Sequence, residues 1–200
     1  MNHKTTILAL TVLLSACSMT SKAGKTEHAI TNKEKKTMSN TDTQSKLTPK
    51  QLLTGLLNLL ETSDSVDDFT PEKLSRTFNV PLNSFFFDNK STPTTRYGFI
   101  QRPSSKWSQG VYFVKRYDGK KQLHLSFNWE DKSSPRPDMK DVCEMTASEF
   151  ITQTRALGFS DKPIRALGRA PILEGFELSN GKLKVDIRLT QSCIQTIRVR

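Results

Sequence analysis

The chain is poor in the side chains that most enzymes work with. It has three histidines in 200 residues, and His124 is the only one after residue 28. It contains no His-Glu-x-x-His helix, no Gly-x-Ser-x-Gly elbow and no glycine-rich phosphate loop. His124 and Ser126 stand two apart on a strand-like stretch and so share a face, but no elbow frames the serine. The densest carboxylates, Asp64, Asp67 and Asp68, lack the glycine and terminal glutamate of a calcium loop and read as solvated turn acids. No catalytic residue, metal site or cofactor is expected. A binding role is.

Long hydrophobic runs are scarce too. The most apolar N-terminal stretch, Ile7 to Leu14, is interrupted by Thr11 and falls far short of the roughly 20 residues that span a bilayer. With Lys4 before it, the stretch reads as a signal peptide over residues 1–16. It ends in Leu14-Ser15-Ala16-Cys17, which closely resembles the lipobox of bacterial lipoproteins. That resemblance implies that Cys17 is acylated, with palmitate among its chains, and becomes the first residue of the mature protein. Several acyl chains anchor stably where one is marginal. Ser18 departs from the aspartate of lipoproteins retained at the inner membrane, so the resemblance implies an outer-membrane address facing the periplasm. A Gram-positive surface lipoprotein would show the same motif.

From Cys17 to Lys46 the chain is rich in Thr, Ser, Lys and Asn and has almost no large apolar residue. Such a stretch cannot bury enough surface to offset the entropy of ordering, so it reads as a disordered tether. Fully extended, it reaches on the order of 90 Å at about 3.3 Å per residue. Residues 47–200 then form a single periplasmic domain. Net charge is +10. Residues 1–46 hold seven Lys and three acids, while residues 47–200 hold 23 basic and 17 acidic residues. A basic exported domain meets little nucleic acid. Anionic lipid, cell-wall polymer or an acidic protein are the fitting partners.

With Cys17 assigned to lipid, Cys143 and Cys193 are left as a pair, which in an oxidising compartment suggests a disulfide. The other reading, a reactive thiol or metal pair, finds no histidine near either cysteine.

The domain's pattern is helix, then sheet, twice. Thr48-Pro49 starts a helix whose Leu52, Leu53, Leu56, Leu57, Leu59 and Leu60 make one apolar stripe. Thr70-Pro71 starts a second, ending near Asn79. Phe85, Phe86 and Phe87 read as a core strand, or as a binding patch if exposed. Arg96–Arg102, Gly110–Tyr117 and Lys121–Glu130 read as strands, the last two joined by Asp118-Gly119. Leu123, Leu125, Phe127 and Trp129 alternate with His124, Ser126 and Asn128, as on a sheet with one buried and one wet face.

Thr146-Ala147-Ser148-Glu149 is a capping box opening a helix that stops at Gly158. Asp161–Ala170 reads as an irregular connection. Ile172–Leu178, Lys182–Thr190 and Cys193–Arg200 read as strands, with Asn180-Gly181 as a tight turn.

The expected class is α+β: antiparallel sheet, one or two, with helices on one face, built as two helix-plus-sheet halves. This layout resembles that of several small exported inhibitor and envelope-assembly domains. With the lipobox, tether and disulfide, the whole resembles periplasmic toxin-immunity lipoproteins. That likeness implies a protein-binding module that neutralises an exported toxin or hydrolase. The alternative is an envelope-assembly or cell-wall-associated structural lipoprotein. Lys182, Lys184, Arg188 and Arg198 alternate outward on the last strands and are the expected partner-binding residues, with Tyr112 and Arg116 joining them if the two sheets are continuous.

Overall fold

A computed structural model describes residues 46–87, 94–116, 118–131, 133, 135, 137–166 and 172–200. The expected signal peptide, Cys17 and the expected tether up to residue 45 lie outside the described residues, as do the side chains of Ser84–Phe87 and Thr94.

Three helices form where the caps dictate. In α1 (Pro49–Glu61), Thr48 Oγ1 accepts the Gln51 N–H at 3.2 Å and Gln51 Oε1 accepts the Thr48 N–H at 2.8 Å. The six leucines of α1 are all buried. Helix α2 (Pro71–Phe78) is capped by Thr70 and closed by Asn79 in the left-handed region, at φ 50°. Thr146 and Glu149 form the capping box of α3 (Ala147–Ala156), and Gly158, at φ 85°, ends the helix's last turn. The acidic run between α1 and α2 is a cap rather than a metal site. Asp68 accepts the N–H groups of Asp64 and Ser65 at 2.8 and 3.0 Å, which holds its carboxyl below the usual range.

Eight strands follow: β1 (Asn83–Phe87), β2 (Thr94–Gln101), β3 (Trp107–Lys115), β4 (Lys121–Trp129), β5 (Ser160–Arg165), β6 (Leu173–Ser179), β7 (Lys184–Thr190) and β8 (Cys193–Val199). All pair antiparallel into one sheet, in the order β1-β2-β3-β4-β8-β7-β6-β5. The fold is α+β, and the two expected halves are plain in it. Helices α1 and α2 lead into the meander β1–β4, and α3 leads into the meander β5–β8. The halves fuse along β4 and β8, where Leu123, His124, Leu125 and Ser126 face Val199, Arg198, Ile197 and Thr196.

One face of the sheet is covered. Phe99, Trp107, Val111, Phe113, Leu123, Leu125, Phe127, Leu178, Val185, Ile187, Ile197 and Val199 pack with the helical leucines and with Phe150 and Ile151 of α3 in one core. The chain joins the domain on this side. Leu47 donates its N–H to Gln101 Oε1 at 3.0 Å and accepts from Gln109 Nε2 at 2.6 Å, and Gln101 and Gln109 are register partners on β2 and β3. Leu47 is thereby fixed to the sheet.

Two segments depart from expectation. Ser160–Arg165 is strand β5 rather than an irregular connection. It lies at a sheet edge, where a strand needs partners on one side only, so Pro163 is tolerated opposite Phe176. Its polar residues hid its periodicity, while Lys162, Pro163 and Arg165 discourage further strand pairing. The second departure is at Lys182. The Asn180 side chain accepts the N–H groups of both Lys182 and Leu183, at 3.0 and 2.8 Å, so the turn runs on and β7 begins only at Lys184.

Cys143 and Cys193 are joined in a disulfide with Cα atoms 5.5 Å apart. The link ties the segment between the two halves to the first residue of β8. Replacing both cysteines by serine is expected to lower the unfolding free energy by about 4 kcal/mol, the chain-entropy value for a loop of this size. A urea midpoint equal to the parent's would contradict that. At Gly98, an added Cβ would collide with the Val111 carbonyl oxygen. Gly98→Ala is therefore expected to cost about 1–3 kcal/mol, with the same readout.

Candidate functional site

Among the described residues no helix covers the second face of the sheet, and its chemistry is set by register. Along one row, Asn83, Gly98, Tyr112 and His124 are successive direct partners on β1 to β4. The row continues through Arg198 on β8, Asp186 on β7, Glu177 on β6 and Lys162 on β5. A single line of side chains therefore crosses all eight strands. From Asn83 to His124 the row is uncharged, with Tyr112 and His124 half-buried, and from Arg198 to Lys162 it is charged.

Tyr112 is laid down by two glycines. A Cβ at Gly98 would come within 3.0 Å of Tyr112 Cδ1, and one at Gly110 within 3.4 Å of Tyr112 Cε2. Hydrogen at both positions lets the ring lie across β2 and β3. Burial raises the pKa of its hydroxyl, slightly opposed by Arg96.

His124 lies between Tyr112 and Arg198. Burial comes first and the Arg198 and Arg96 guanidiniums second in pushing its pKa down to about 4, so the ring is neutral at pH 7. Its Nε2 is shielded from solvent and has no hydrogen-bond partner among the described residues. Ser126 does not engage it; the Ser126 hydroxyl accepts from Asn128 Nδ2 at 2.9 Å. Among the described residues no three His, Cys, Asp or Glu side chains converge to hold a metal ion.

The six residues singled out from the sequence separate by geometry. Tyr112 and Arg198 lie on the central row, and Lys184 and Arg188 flank Asp186 on β7. Arg188 is engaged by Glu174 at 3.3 Å, and Arg200 holds Asp186 at 2.9 and 3.2 Å. Arg198 and Lys184 are exposed and make no ion pair with a described residue. Lys182 is off the row. It reaches from its turn to Asp64, beyond the end of α1, at 2.6 Å. Arg116 stands past the end of β3, with Asp118 at 3.7 Å.

Sequence reasoning missed Arg96 and the glycine pair as parts of this face, and it did not join His124 to Arg198. The alternation on β4 placed His124 outward, but its neighbour Arg198 lies 74 positions away along the chain. Only the β4–β8 pairing brings them together.

The unfolded chain binds a proton at His124 near pH 6.5, whereas the folded chain does so only near 4. Stability is therefore lost as pH falls from about 6.5 to about 4. His124→Gln is expected to make the fall of the thermal midpoint over that window shallower. A variant whose profile parallels the parent's would show that His124 is not the group responsible.

No protein-family model matches the chain, and no curated protein or solved structure matches it either.

Proposed function

We propose that this protein is a lipoprotein anchored through Cys17 in the outer membrane, facing the periplasm, and that its domain binds and neutralises an exported protein such as a toxin or hydrolase. The observation that carries the binding role is the second sheet face, which no described helix covers, continuous across eight strands and displaying Arg198 and Lys184 as exposed cations without an ion pair to a described residue. An antiparallel sheet packed on one side only leaves its second side available to a partner.

Two further features support the reading. Leu47 is held on the helical side of the sheet, away from the second face. The disulfide suits an oxidising compartment. The lipobox carries the address, and its resemblance to lipoprotein signals is specific. Arg198, Lys184, Arg188 and Tyr112 are the contacts this reading favours, with charge pairs setting specificity and association rate more than affinity.

Affinity capture from envelope extracts with the full chain in mild detergent, disulfide intact, tests it. A single stoichiometric exported enzyme, inhibited on binding, is the expected result. Arg198→Glu with Lys184→Glu should weaken its capture at least about tenfold, or roughly 1.4 kcal/mol. Lys182→Glu should leave it unchanged. Recovery of envelope-assembly proteins or cell-wall fragments instead would replace this reading by a structural one.

A further inference from the structure

The turn joining β7 to β8 is strained. It consists of Gln191 and Ser192, between the register partners Thr190 and Cys193. Both central residues lie in the left-handed region, at φ 52° and 64°. Hairpin turns of this hand ordinarily use Asn or Gly, because elsewhere a Cβ crowds the following carbonyl oxygen. Gln191 and Ser192 are also exposed, so burial does not offset the strain. Other contacts must hold the turn in place.

Those contacts come from the segment between the two halves. Gln191 Oε1 accepts the Met139 N–H and the Ser192 carbonyl accepts the Ala147 N–H, both at 3.4 Å, while Thr146 bridges Cys193. Hydrogen bonds of that length are weak, which leaves the Cys143–Cys193 disulfide as the strong tie. From Asp138 to Met145 the segment has one short helical turn, Met139–Asp141. It buries Met139, Val142 and Met145, and its other residues are wholly or partly exposed. Ordering a residue costs about as much as burying one apolar side chain contributes, so a strap with more ordered residues than buried ones depends on its cross-link. The strap also reaches α1, where Glu144 Oε2 accepts the Lys50 N–H at 3.0 Å.

We propose that the Cys143–Cys193 disulfide is a reducible lock, whose opening frees the Asp138–Met145 strap and the Gln191-Ser192 turn as one unit while the β4–β8 seam stays paired. The lock does not depend on what the second face binds. Its reductant is a dithiol. Cys193 is buried and Cys143 is partly exposed, so the incoming thiolate attacks Cys143 Sγ and the electron pair of the S–S bond leaves on Cys193 Sγ. The second thiolate of the reductant then attacks the first, and the pair of the mixed disulfide leaves on Cys143 Sγ. The reductant ends as an intramolecular disulfide, and two electrons and two protons end on the cysteine pair. Release uncovers Met139, Val142 and Met145 and withdraws Glu144 from the start of α1.

Dithiothreitol is the probe, added without denaturant to the full chain in mild detergent. Alkylation is read peptide by peptide, which keeps Cys17 separate, and methyl spectra of Met and Ile report the structure. Both Cys143 and Cys193 should become labelled. The Met139 and Met145 methyl signals should move to random-coil positions and return on reoxidation, while those of Ile151, Ile187 and Ile197 keep their native positions. Ser192→Gly relieves part of the strain, so it should lower the ratio of open to closed Met signal in the reduced protein about threefold. A disulfide that dithiothreitol reaches only in denaturant overturns the proposal. Met and Ile signals that collapse together also overturn it, because the bond is then a staple of the whole domain. Met signals that stay native after reduction do so as well, since the strap then needs no lock. An unchanged ratio in Ser192→Gly separates the turn from the strap and removes the unit on which the lock acts.

Discussion

Everything in this domain depends on the pairing of β4 with β8. Each half alone is a four-stranded meander with a helical layer, and each would end in an open edge of apolar residues. Pairing removes both edges at once. On the covered side, Leu123, Leu125, Ile197 and Val199 all come to lie in the core. Burial of four such side chains stabilises on the order of 6–12 kcal/mol before ordering entropy is counted, comparable with the whole net stability of a small domain. The disulfide reinforces the seam from one end, since Cys193 opens β8 and Cys143 lies in the segment joining the halves.

The same four register pairs decide what happens on the other side of the sheet. Because side chains alternate, fixing Leu123, Leu125, Ile197 and Val199 inward forces His124, Arg198, Ser126 and Thr196 outward and next to one another. The meeting of an imidazole with a guanidinium is thus a by-product of core packing as far as geometry goes. A slip of one residue would exchange the two sets. Such a slip would turn the leucine, isoleucine and valine side chains toward water, so core burial specifies which side chains the second face displays.

Local structure was legible in the sequence because its determinants are local. Thr48-Pro49, Thr70-Pro71 and the Thr146–Glu149 box name three helix starts, and Asp118-Gly119 and Asn180-Gly181 name two hairpins. The seam was not legible, because β4 and β8 are separated by a whole helix and three strands, and period-two patterns carry no label for their partner. Strand β5 was missed for a different reason: an edge strand with Asp161, Lys162 and Pro163 has little apolar alternation to display. Lys182 was misplaced by a side chain rather than by periodicity. Asn180 captures two successive N–H groups and lengthens the turn by Lys182 and Leu183, the two residues that would have begun the strand. The lipobox, by contrast, is read from sequence alone, since Cys17 lies outside the described residues.

The domain's positive charge has two separate uses, and confusing them would misplace the binding surface. Lys182 meets Asp64 at 2.6 Å, Lys121 meets Asp67 at 2.6 Å, and Lys73 donates to the Thr62 carbonyl at 2.7 Å and to the Ser63 hydroxyl at 2.8 Å. The acidic turn between α1 and α2 is therefore clipped to the β6–β7 turn and to the start of β4 by lysines that a charge count alone would assign to a partner. Such exposed pairs contribute little each, about 0–1 kcal/mol, but they consume the cations. Arg188 and Arg200 are likewise engaged, by Glu174 and Asp186. With these removed, Arg198 and Lys184 stand out on the bare face as exposed cations without a described counter-charge. A charge-neutral partner would gain nothing from them, and a uniformly acidic one would be repelled by Asp186 and Glu177 beside them. The second face is therefore mixed in sign, with Asp186 and Glu177 beside Arg198, rather than uniformly basic.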